Sequence, residues 1–304
     1  MRIATFNLKD FFAPKTDAER AVAGTKLENV ARDVLRADAD IVALQEVGET
    51  EYLEAFLASH LGEGGYGAPV FGTADKRGIR CAILSRLPIL WSQVHAARSL
   101  PFPRFFEVDP EPFGARIPLR RGIPHVRVDG GKLGEVDVVT AHFKSNLGAP
   151  MKHGDGSEIE DPTPLGRAEA SLRSLVQRAA EALFVRRIVD DVLAKSPDHA
   201  ICVLGDLNDR ADSLPVAIVR GIGEPEGGVL RGCSERVEEA RRFSCFHGGG
   251  PSLIDHVLVS ERMHGALERF EIFNEALRYH GAYVKDAPPT PDSDHALCVA
   301  TFGG

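Results

Sequence analysis

Residues 200–209 read Ala-Ile-Cys-Val-Leu-Gly-Asp-Leu-Asn-Asp and combine a short apolar run with a cluster of polar side chains. The five apolar residues predict a buried strand, which Gly205 ends. Asp206 and Asn208 follow just past the carboxyl end of this strand, where open α/β sheets usually bind their ligands. Alternation along an extended chain turns both side chains to the same side. The pair suits activation of water or contact with a hard cation, and it equally suits an Asx-type turn.

Polar side chains also stand at the ends of earlier predicted strands. The first strand, over residues 2–6, ends at Asn7, and the buried strand over residues 40–47 carries Glu46 near its end. A buried carboxylate requires a partner or a metal, because an unpaired buried charge is costly. The alternative is an exposed glutamate that begins the next loop.

Histidines occupy similar positions in later strands. His142 lies near the end of the strand predicted over residues 134–143, where a lone histidine is usually structural. In the strand over residues 252–260, Asp255 shares a face with aliphatic neighbours and therefore needs a partner. His295, in the loop before the last strand, is a candidate for that partner, as an imidazole oriented by a buried carboxylate.

Helical periodicity accounts for most of the intervening chain. The helix predicted over residues 165–195 has an apolar stripe that includes Leu172 and Leu175, and this stripe is expected to face the core. The runs at 79–85 and 87–96 are predicted to pair as strands joined at Arg86. The helices are predicted over residues 17–37, 51–61, 165–195 and 213–220.

The segment 99–124 differs in character from the rest of the chain. Its six prolines forbid a regular helix or a central strand. Arginines mixed with aromatic residues suit a substrate-engaging loop that follows a phosphate backbone or stacks bases, and they also suit a long connection held by its own aromatics. The residues concerned are Phe102, Phe105, Phe106, Phe113, Arg104, Arg116, Arg120 and Arg121.

Composition limits the class of protein. The 304 residues are 43% hydrophobic and 26% charged, and no linker or repeat divides them, which favours a single domain over residues 1–304. The net charge of −8 argues against clamping nucleic acid over a broad surface. The five scattered cysteines are expected to be buried thiols. With no apolar run long enough for a membrane span and no visible signal peptide, a soluble cytoplasmic protein is expected.

The strand-end residues together suit one kind of chemistry. Carboxylates, amides and histidines are the groups that assist attack of water on phosphorus with Mg²⁺, and Mn²⁺ is the alternative cation. A serine triad fits worse, because the chain has no Gly-x-Ser-x-Gly motif, and a zinc site fits worse for lack of ligand spacing. The residues concerned are Asn7, Glu46, His142, Asp206, Asn208, Asp255, Asp294 and His295.

Six short motifs resemble, in order, those of the endonuclease/exonuclease/phosphatase superfamily, the DNase I-like proteins. The resemblance runs over nearly the whole chain and implies a four-layered α/β sandwich, in which two packed mixed β-sheets are flanked by helices and the site lies at one end of the sheets. The motifs are Thr5-Phe6-Asn7, Leu44-Gln45-Glu46, Thr140-Ala141-His142-Phe143-Lys144, Gly205-Asp206-Leu207-Asn208-Asp209, Ile254-Asp255-His256 and Ser293-Asp294-His295.

The resemblance also implies which residues hold the metal. Glu46 resembles the principal Mg²⁺ ligand, and Asn7 its neighbour on the metal or the phosphate. Asp294 is implied to contact the metal or to orient a histidine.

The remaining positions resemble catalytic residues of the family. Asp206 and Asn208 are similar to the pair that holds and activates the attacking water. His295, oriented by Asp255, resembles the histidine that acts on the phosphate or in acid–base catalysis. His142 resembles a second histidine near the scissile phosphate and the leaving group.

The function expected from this resemblance is metal-dependent phosphodiester hydrolysis. Members that repair abasic sites carry a tyrosine-containing motif instead of His142, and Lys144-Ser145 makes the chain similar to bacterial nuclease-type members. The leading hypothesis is a nuclease that acts on DNA or RNA. The alternatives are a phosphatase or phosphodiesterase acting on a small-molecule, inositol or lipid phosphoester, and a non-catalytic binding module with the same fold.

Overall fold

The computed structural model describes residues 1–110, 116–223, 228–247, 249–279 and 288–303. Within these ranges the α-helices are α1 (Asp17–Ala37), α2 (Thr50–His60), α3 (Pro164–Leu193), α4 (Leu214–Arg220) and α5 (Glu261–Gly265). The strands are β1 (Arg2–Phe11), β2 (Ile41–Val47), β3 (Val70–Phe71), β4 (Arg80–Ser85), β5 (Ile89–His95), β6 (Ile123–Asp129), β7 (Glu135–Thr140), β8 (Met151–Lys152), β9 (Glu158–Ile159), β10 (Ala200–Asp206), β11 (Arg231–Gly232), β12 (Cys245–His247), β13 (Gly250–Ser252), β14 (Asp255–Val259), β15 (Leu267–Ile272) and β16 (Cys298–Phe302).

Two mixed six-stranded sheets form the centre of the molecule. The strand order is β15-β16-β1-β2-β4-β3 in the first sheet and β11-β14-β10-β7-β6-β5 in the second. Strands β1 and β2 are parallel, as are β7 and β10, whereas the other pairs are antiparallel. The carboxyl ends of β1, β2, β7 and β10 carry the polar motifs, so the sheet directions decide where the site lies.

The apolar residues sort into three buried clusters, and these clusters define four layers. The inner faces of the two sheets pack on each other, with Ile3 and Ile83 from the first and Val138 from the second. Helices α1 and α2 cover the outer face of the first sheet, and α3 and α4 cover the outer face of the second. The predicted four-layered α/β sandwich is confirmed.

Local sequence signals place the helix starts. The hydroxyl oxygen of Thr16 caps α1 by accepting a hydrogen bond from the backbone N–H of Glu19. The Glu19 carboxylate in turn accepts one from the backbone N–H of Thr16. This reciprocal arrangement satisfies two N–H groups that a helix start would otherwise leave unpaired. Thr163 caps α3 by a single hydrogen bond, which its hydroxyl oxygen accepts from the N–H of Gly166, with Pro164 at the first helical position.

The predicted hairpin over residues 79–96 is wrong. Strand β4 pairs with β2 and β3 in the first sheet, and β5 pairs with β6 in the second. The connection at Arg86 therefore crosses from one sheet to the other. Two adjacent apolar runs have the same period whether they pair with each other or with strands of different sheets, so the pattern could not distinguish the two arrangements.

Two simpler expectations can be compared with the structure. All five cysteines are buried and unpaired, as predicted. Over the residues that the structure describes, no helix combines the length and the apolar character needed to cross a membrane.

Candidate active site

The first sheet contributes Asn7 and Glu46 from two neighbouring strands that are both irregular at their carboxyl ends. The pairing of β1 with β2 shifts register between Asn7 and Phe11, and the pairing of β2 with β4 shifts between Leu44 and Val47. Glu46 has a φ of 59°, which is unusual for a residue with a side chain. Such bulges re-aim side chains beside active sites. Here they bring Nδ2 of Asn7 to 3.4 Å from Oε1 of Glu46.

The second sheet contributes Asp206 and Asn208 from the end of β10. The N–H of Asn208 donates to Oδ1 of Asp206 over 2.9 Å, and the Asn208 side-chain amide donates to the carbonyl of Phe143 over 3.1 Å. Gly205 has a φ of 137°, and a Cβ at this position would lie 2.0 Å from the carbonyl oxygen of Ala141. A glycine is therefore required for the close approach of the two segments that carry Asp206 and His142.

Asp206 connects the two sheets. Its Oδ2 accepts a 2.9 Å hydrogen bond from Nδ2 of Asn7 and lies 3.5 Å from Nε2 of His142. Beneath this contact, Gln45 accepts from the hydroxyl of Thr5 and donates to that of Thr140, both over 3.1 Å. These bonds fix the relative position of the two sheets at the site.

A second pair of groups completes the cluster. Nδ1 of His295 lies 2.7 Å from Oδ2 of Asp255, as the sequence suggested. Asp255 stands opposite Asp206 in the antiparallel pairing of β14 with β10. Atoms of Asp206, Asp255 and His295 able to bind a metal all lie within 4.8 Å of one another. The structure thus brings together residues that three separate motifs contribute.

Asp294 lies at the edge of this cluster. Its carboxylate is 3.0 Å from Nζ of Lys9 and 4.0 Å from Nε2 of His295. The side chain is 44% exposed, in contrast to the buried Asp206 and Asp255. In this arrangement Asp294 is positioned to influence His295 more directly than it influences Glu46.

Burial and charge set the protonation of the cluster. Burial and the nearby charge of Asp255 raise the pKa of Asp206 to about 7. Burial opposes charge on His295, but the carboxylates of Asp255, Asp206 and Asp294 outweigh it and raise the pKa of this imidazole well above its usual value. Burial, with Arg121 and His295 as further causes, lowers the pKa of His142 well below its usual value. The pKa values of the two histidines are therefore shifted in opposite directions.

The chemistry of the donor set fits a hard divalent cation. Glu46 and Asp206 offer carboxylate oxygens on either side of Asn7. The buried Oδ1 of Asp255 and Nδ1 of His142 have no hydrogen-bond partner among the described residues. The Oδ1 atom of Asn7 accepts a 2.9 Å bond from the N–H of Lys9, so Asn7 turns its amide nitrogen toward the carboxylates. Asn7 thus orients Glu46 and Asp206 in this structure.

Residues outside the predicted set hold the site loops in place. The buried guanidinium of Arg121 donates to the carbonyls of His142 and Phe143 and pairs with Asp75 over 3.2 Å. From α3, Arg178 pairs with Asp209 over 2.8 Å. Sequence analysis missed both roles, because an arginine in a loop or on a helix is usually exposed. The prolines around Arg121 were the only local signal.

The family comparison covers almost the whole chain. Residues 4–295 match the model of the endonuclease/exonuclease/phosphatase family. The range includes all eight predicted site residues, and the last of them, His295, is its final residue. No curated protein matches the chain significantly.

Several solved structures share the fold. Truncated TDP2 from Caenorhabditis elegans has a TM-score of 0.59 and 18% identity, covering 100% of this chain and 97% of its own. The 3'-5' exonuclease NExo from Neisseria meningitidis has a TM-score of 0.59 and 20% identity, with 100% of both chains covered. A mannosyl-6-phosphatase from Bacteroides thetaiotaomicron has a TM-score of 0.60 and 17% identity, with 99% of both covered. At these identities the likeness extends to the fold alone.

Proposed function

Because the chain belongs to the endonuclease/exonuclease/phosphatase family, it is a hydrolase of phosphoester bonds, and we propose that it is a Mg²⁺-dependent nuclease. The observation that carries this proposal is the position of Asp206. A single buried carboxylate contacts Asn7 from one sheet and His142 from the other, within 4.8 Å of the His295–Asp255 pair. This arrangement places a proton acceptor, a proton donor and cation ligands around one small space.

The divalent cation of the family would be held by the carboxylate oxygens of Glu46, which Asn7 would orient through its amide nitrogen. Mg²⁺ suits these oxygen donors, and Mn²⁺ is the alternative. When bound, such a cation neutralises charge on the phosphoryl oxygens. Asp294 would act mainly on His295, because Oδ1 of Asp294 lies 4.0 Å from Nε2 of His295.

The protein's own groups fit the remaining steps. Asp206, with its raised pKa, is suited to accept a proton from the attacking water, and the N–H of Asn208 holds its carboxylate in place. The raised pKa of His295 favours its charged form, which is suited to hydrogen-bond the phosphate or protonate the leaving oxygen. The lowered pKa of His142 favours its neutral form, which is suited to position the phosphate by hydrogen bonding. Bond formation from water oxygen to phosphorus and loss of the ester oxygen complete the hydrolysis.

Nucleic acid is favoured as substrate by the segment 99–124. Phe105 and Phe106 are 87% and 72% exposed, as expected for side chains that stack on bases rather than pin the loop. Arg121, near the end of the segment, contacts the backbone of His142, so the loop leads directly to the site. Phe113, which belongs to the same pattern, lies outside the described residues.

The second candidate is hydrolysis of a small or lipid phosphoester. The net charge of −8 favours it, because a nucleic-acid enzyme gains from a basic surface. The fold also occurs in a mannosyl-6-phosphatase, so the architecture is compatible with a small substrate.

A substrate comparison separates the two candidates. Supercoiled plasmid, single-stranded DNA, RNA, an aryl phosphodiester and inositol phosphates should each be tested with Mg²⁺, with Mn²⁺ and with EDTA. A nuclease should nick or degrade the polymers, lose activity with EDTA, and weaken steeply as salt rises from 50 to 200 mM. Hydrolysis confined to the small esters, with little salt dependence, would favour the second candidate.

A matched variant tests the catalytic assignment. Glu46→Gln should reduce the hydrolytic activity at least about a hundredfold without unfolding the protein. Binding of nucleic acid by wild type and variant alike, with no hydrolysis by either, would instead indicate a non-catalytic binding module. We further propose that residues 1–304 act as one domain, since β1 and β16, from opposite ends of the chain, pair directly.

A further inference from the structure

Lys26 is a lysine of α1 whose side chain points inward to the end of β1. Its ammonium group donates a hydrogen bond to the carbonyl oxygen of Lys9. Burial lowers the pKa of Lys26, while the charges of Asp10, Glu46 and Asp294 act in the opposite direction. A half-buried lysine beside the site requires an explanation, because lysine is rarely withdrawn from solvent without a specific partner.

The partner of Lys26 belongs to an unusual turn. Lys9 and Asp10 both have a φ of 48°, in the left-handed region that residues with side chains seldom adopt. Because this conformation is unfavourable for each residue with a side chain, two in succession must be held by their surroundings. The turn lies at the register shift between β1 and β2.

This turn fixes two side chains of the candidate cation site. The N–H of Lys9 donates to Oδ1 of Asn7 over 2.9 Å, and the N–H of Asp10 donates to Oε2 of Glu46 over 2.8 Å. Both N–H groups point at the site while both residues are in the left-handed conformation. Relaxation of the turn would therefore release Asn7 and Glu46 together.

We propose that Lys26 is a positioning residue, which clamps the strained Lys9–Asp10 turn and thereby holds Asn7 and Glu46 in the arrangement that binds the divalent cation. Lys26 is assigned no contact with substrate. The inference rests on the proposed function, because it concerns the same cation site. It adds a residue from α1 that no sequence motif includes.

The test compares Lys26→Met with Arg32→Met, which removes an exposed positive charge from the same helix. Mg²⁺ affinity should be measured by calorimetry on metal-free protein, with Mn²⁺ affinity by electron paramagnetic resonance. Loss of a group that orients a ligand typically weakens metal binding 10–100-fold. Lys26→Met should lower the affinity for both cations by at least about tenfold, and Arg32→Met should lower it by less than twofold. Saturating Mg²⁺ should restore most of kcat, with KM for substrate unchanged.

A second variant keeps the test decisive if Lys26→Met is poorly folded. Glycine adopts positive φ without strain, so Asp10→Gly should relieve the need for the clamp while keeping the N–H that reaches Glu46. The double variant Lys26→Met with Asp10→Gly should bind Mg²⁺ more tightly than Lys26→Met alone.

The outcomes distinguish this inference from the proposed function. If wild type binds Mg²⁺ and Lys26→Met binds it equally well, Lys26 has no positioning role. A double variant no better than Lys26→Met would also overturn the inference. If wild type binds neither cation and hydrolyses no phosphoester, the cation site itself is wrong.

Discussion

Asn7 and Asp206 are joined by a 2.9 Å hydrogen bond although 199 positions separate them in the chain. Asn7 stands at the bulged end of β1 in the first sheet, and Asp206 ends β10 in the second. Both side chains are almost fully buried. The bond therefore links the packing of the two sheets to the geometry of the site, since either sheet would have to move for the bond to break.

A double-mutant cycle should detect this link. Asp206→Ala should reduce kcat/KM by about 10²–10⁴-fold, the usual contribution of a positioned acid–base group, and Asn7→Ala by about 10–100-fold, the usual loss when an orienting group is removed. The double variant should lose far less activity than the product of the two single losses, because the two side chains act as one unit. The measurement is kcat/KM on a phosphodiester substrate. Asn29→Ala, which removes an exposed bond to Asp292, serves as control and should change little. Fully additive losses would show that the residues act independently.

Gly205→Ala should be one of the most destabilising single changes in the chain. The new Cβ would lie 2.0 Å from the carbonyl oxygen of Ala141, and the φ of 137° is strained for any L side chain. We expect a loss of more than about 3 kcal/mol in the free energy of unfolding, measured by urea denaturation.

Gly24→Ala is the matched control for Gly205→Ala. Gly24 lies inside α1, and a Cβ there would meet nothing within 4 Å. Alanine should stabilise the helix by about 0.5–1 kcal/mol. Equal effects of the two substitutions would contradict the steric account of Gly205.

Sequence patterns located most helices and strands and most of the residues that the structure brings together at the candidate site, because both follow from short-range signals. The capping box at Thr16 and the apolar runs fix where α1 and β10 begin. The strand-end motifs carry the site residues, and parallel strands bring their carboxyl ends to one edge of a sheet. The pairing of β4 and β5 could not be predicted in this way, since partner choice depends on the rest of the fold.

The buried face of α3 shows a different limit. Leu172 and Leu175, predicted to face the core, are 60% and 38% exposed, whereas Arg178 and Glu181 are buried. This half of the helix packs on site loops whose backbone groups need hydrogen-bond partners. Glu181, for example, accepts a 2.7 Å bond from the N–H of Lys144. Periodicity of apolar residues identifies a face that packs on other apolar residues and misses one that packs on loops.

Arg178→Met should therefore destabilise the folded protein, although methionine is more apolar than arginine. The guanidinium pairs with Asp209 over 2.8 Å, with side-chain exposures of 5% and 15%, and it also donates to the carbonyl of Lys144. Removing one partner leaves Asp209 without its counter-charge, at a cost of about 3–5 kcal/mol in the free energy of unfolding.

Arg210→Met tests the same chemistry at the surface. Arg210 pairs with Asp212 over 3.0 Å, but both side chains are at least 70% exposed. The expected cost is about 0–1 kcal/mol by urea denaturation. A cost for Arg178→Met no larger than this would mean that α3 does not hold the loop after β10 through the ion pair.

The stability of the protein should fall as the pH drops below neutral, and His95 should account for part of this fall. Burial and the neighbouring His125 lower the pKa of His95 from 6.5 to about 4. His95 lies 3.0 Å from His125, which in turn lies 2.6 Å from Asp137. Between pH 6.5 and 4 the unfolded chain binds a proton at His95 that the folded chain does not, so lowering the pH favours unfolding.

His95→Gln should reduce this loss. The amide can still donate to His125, but it does not titrate, so the free energy of unfolding should fall less between pH 7 and pH 5 than in wild type. His153→Gln, at an exposed position, is the control and should retain the wild-type pH dependence. Urea denaturation at both pH values provides the measurement. Because the folded-state pKa of His95 lies below its unfolded value, a steeper loss in His95→Gln would reverse the predicted sign and refute the assignment.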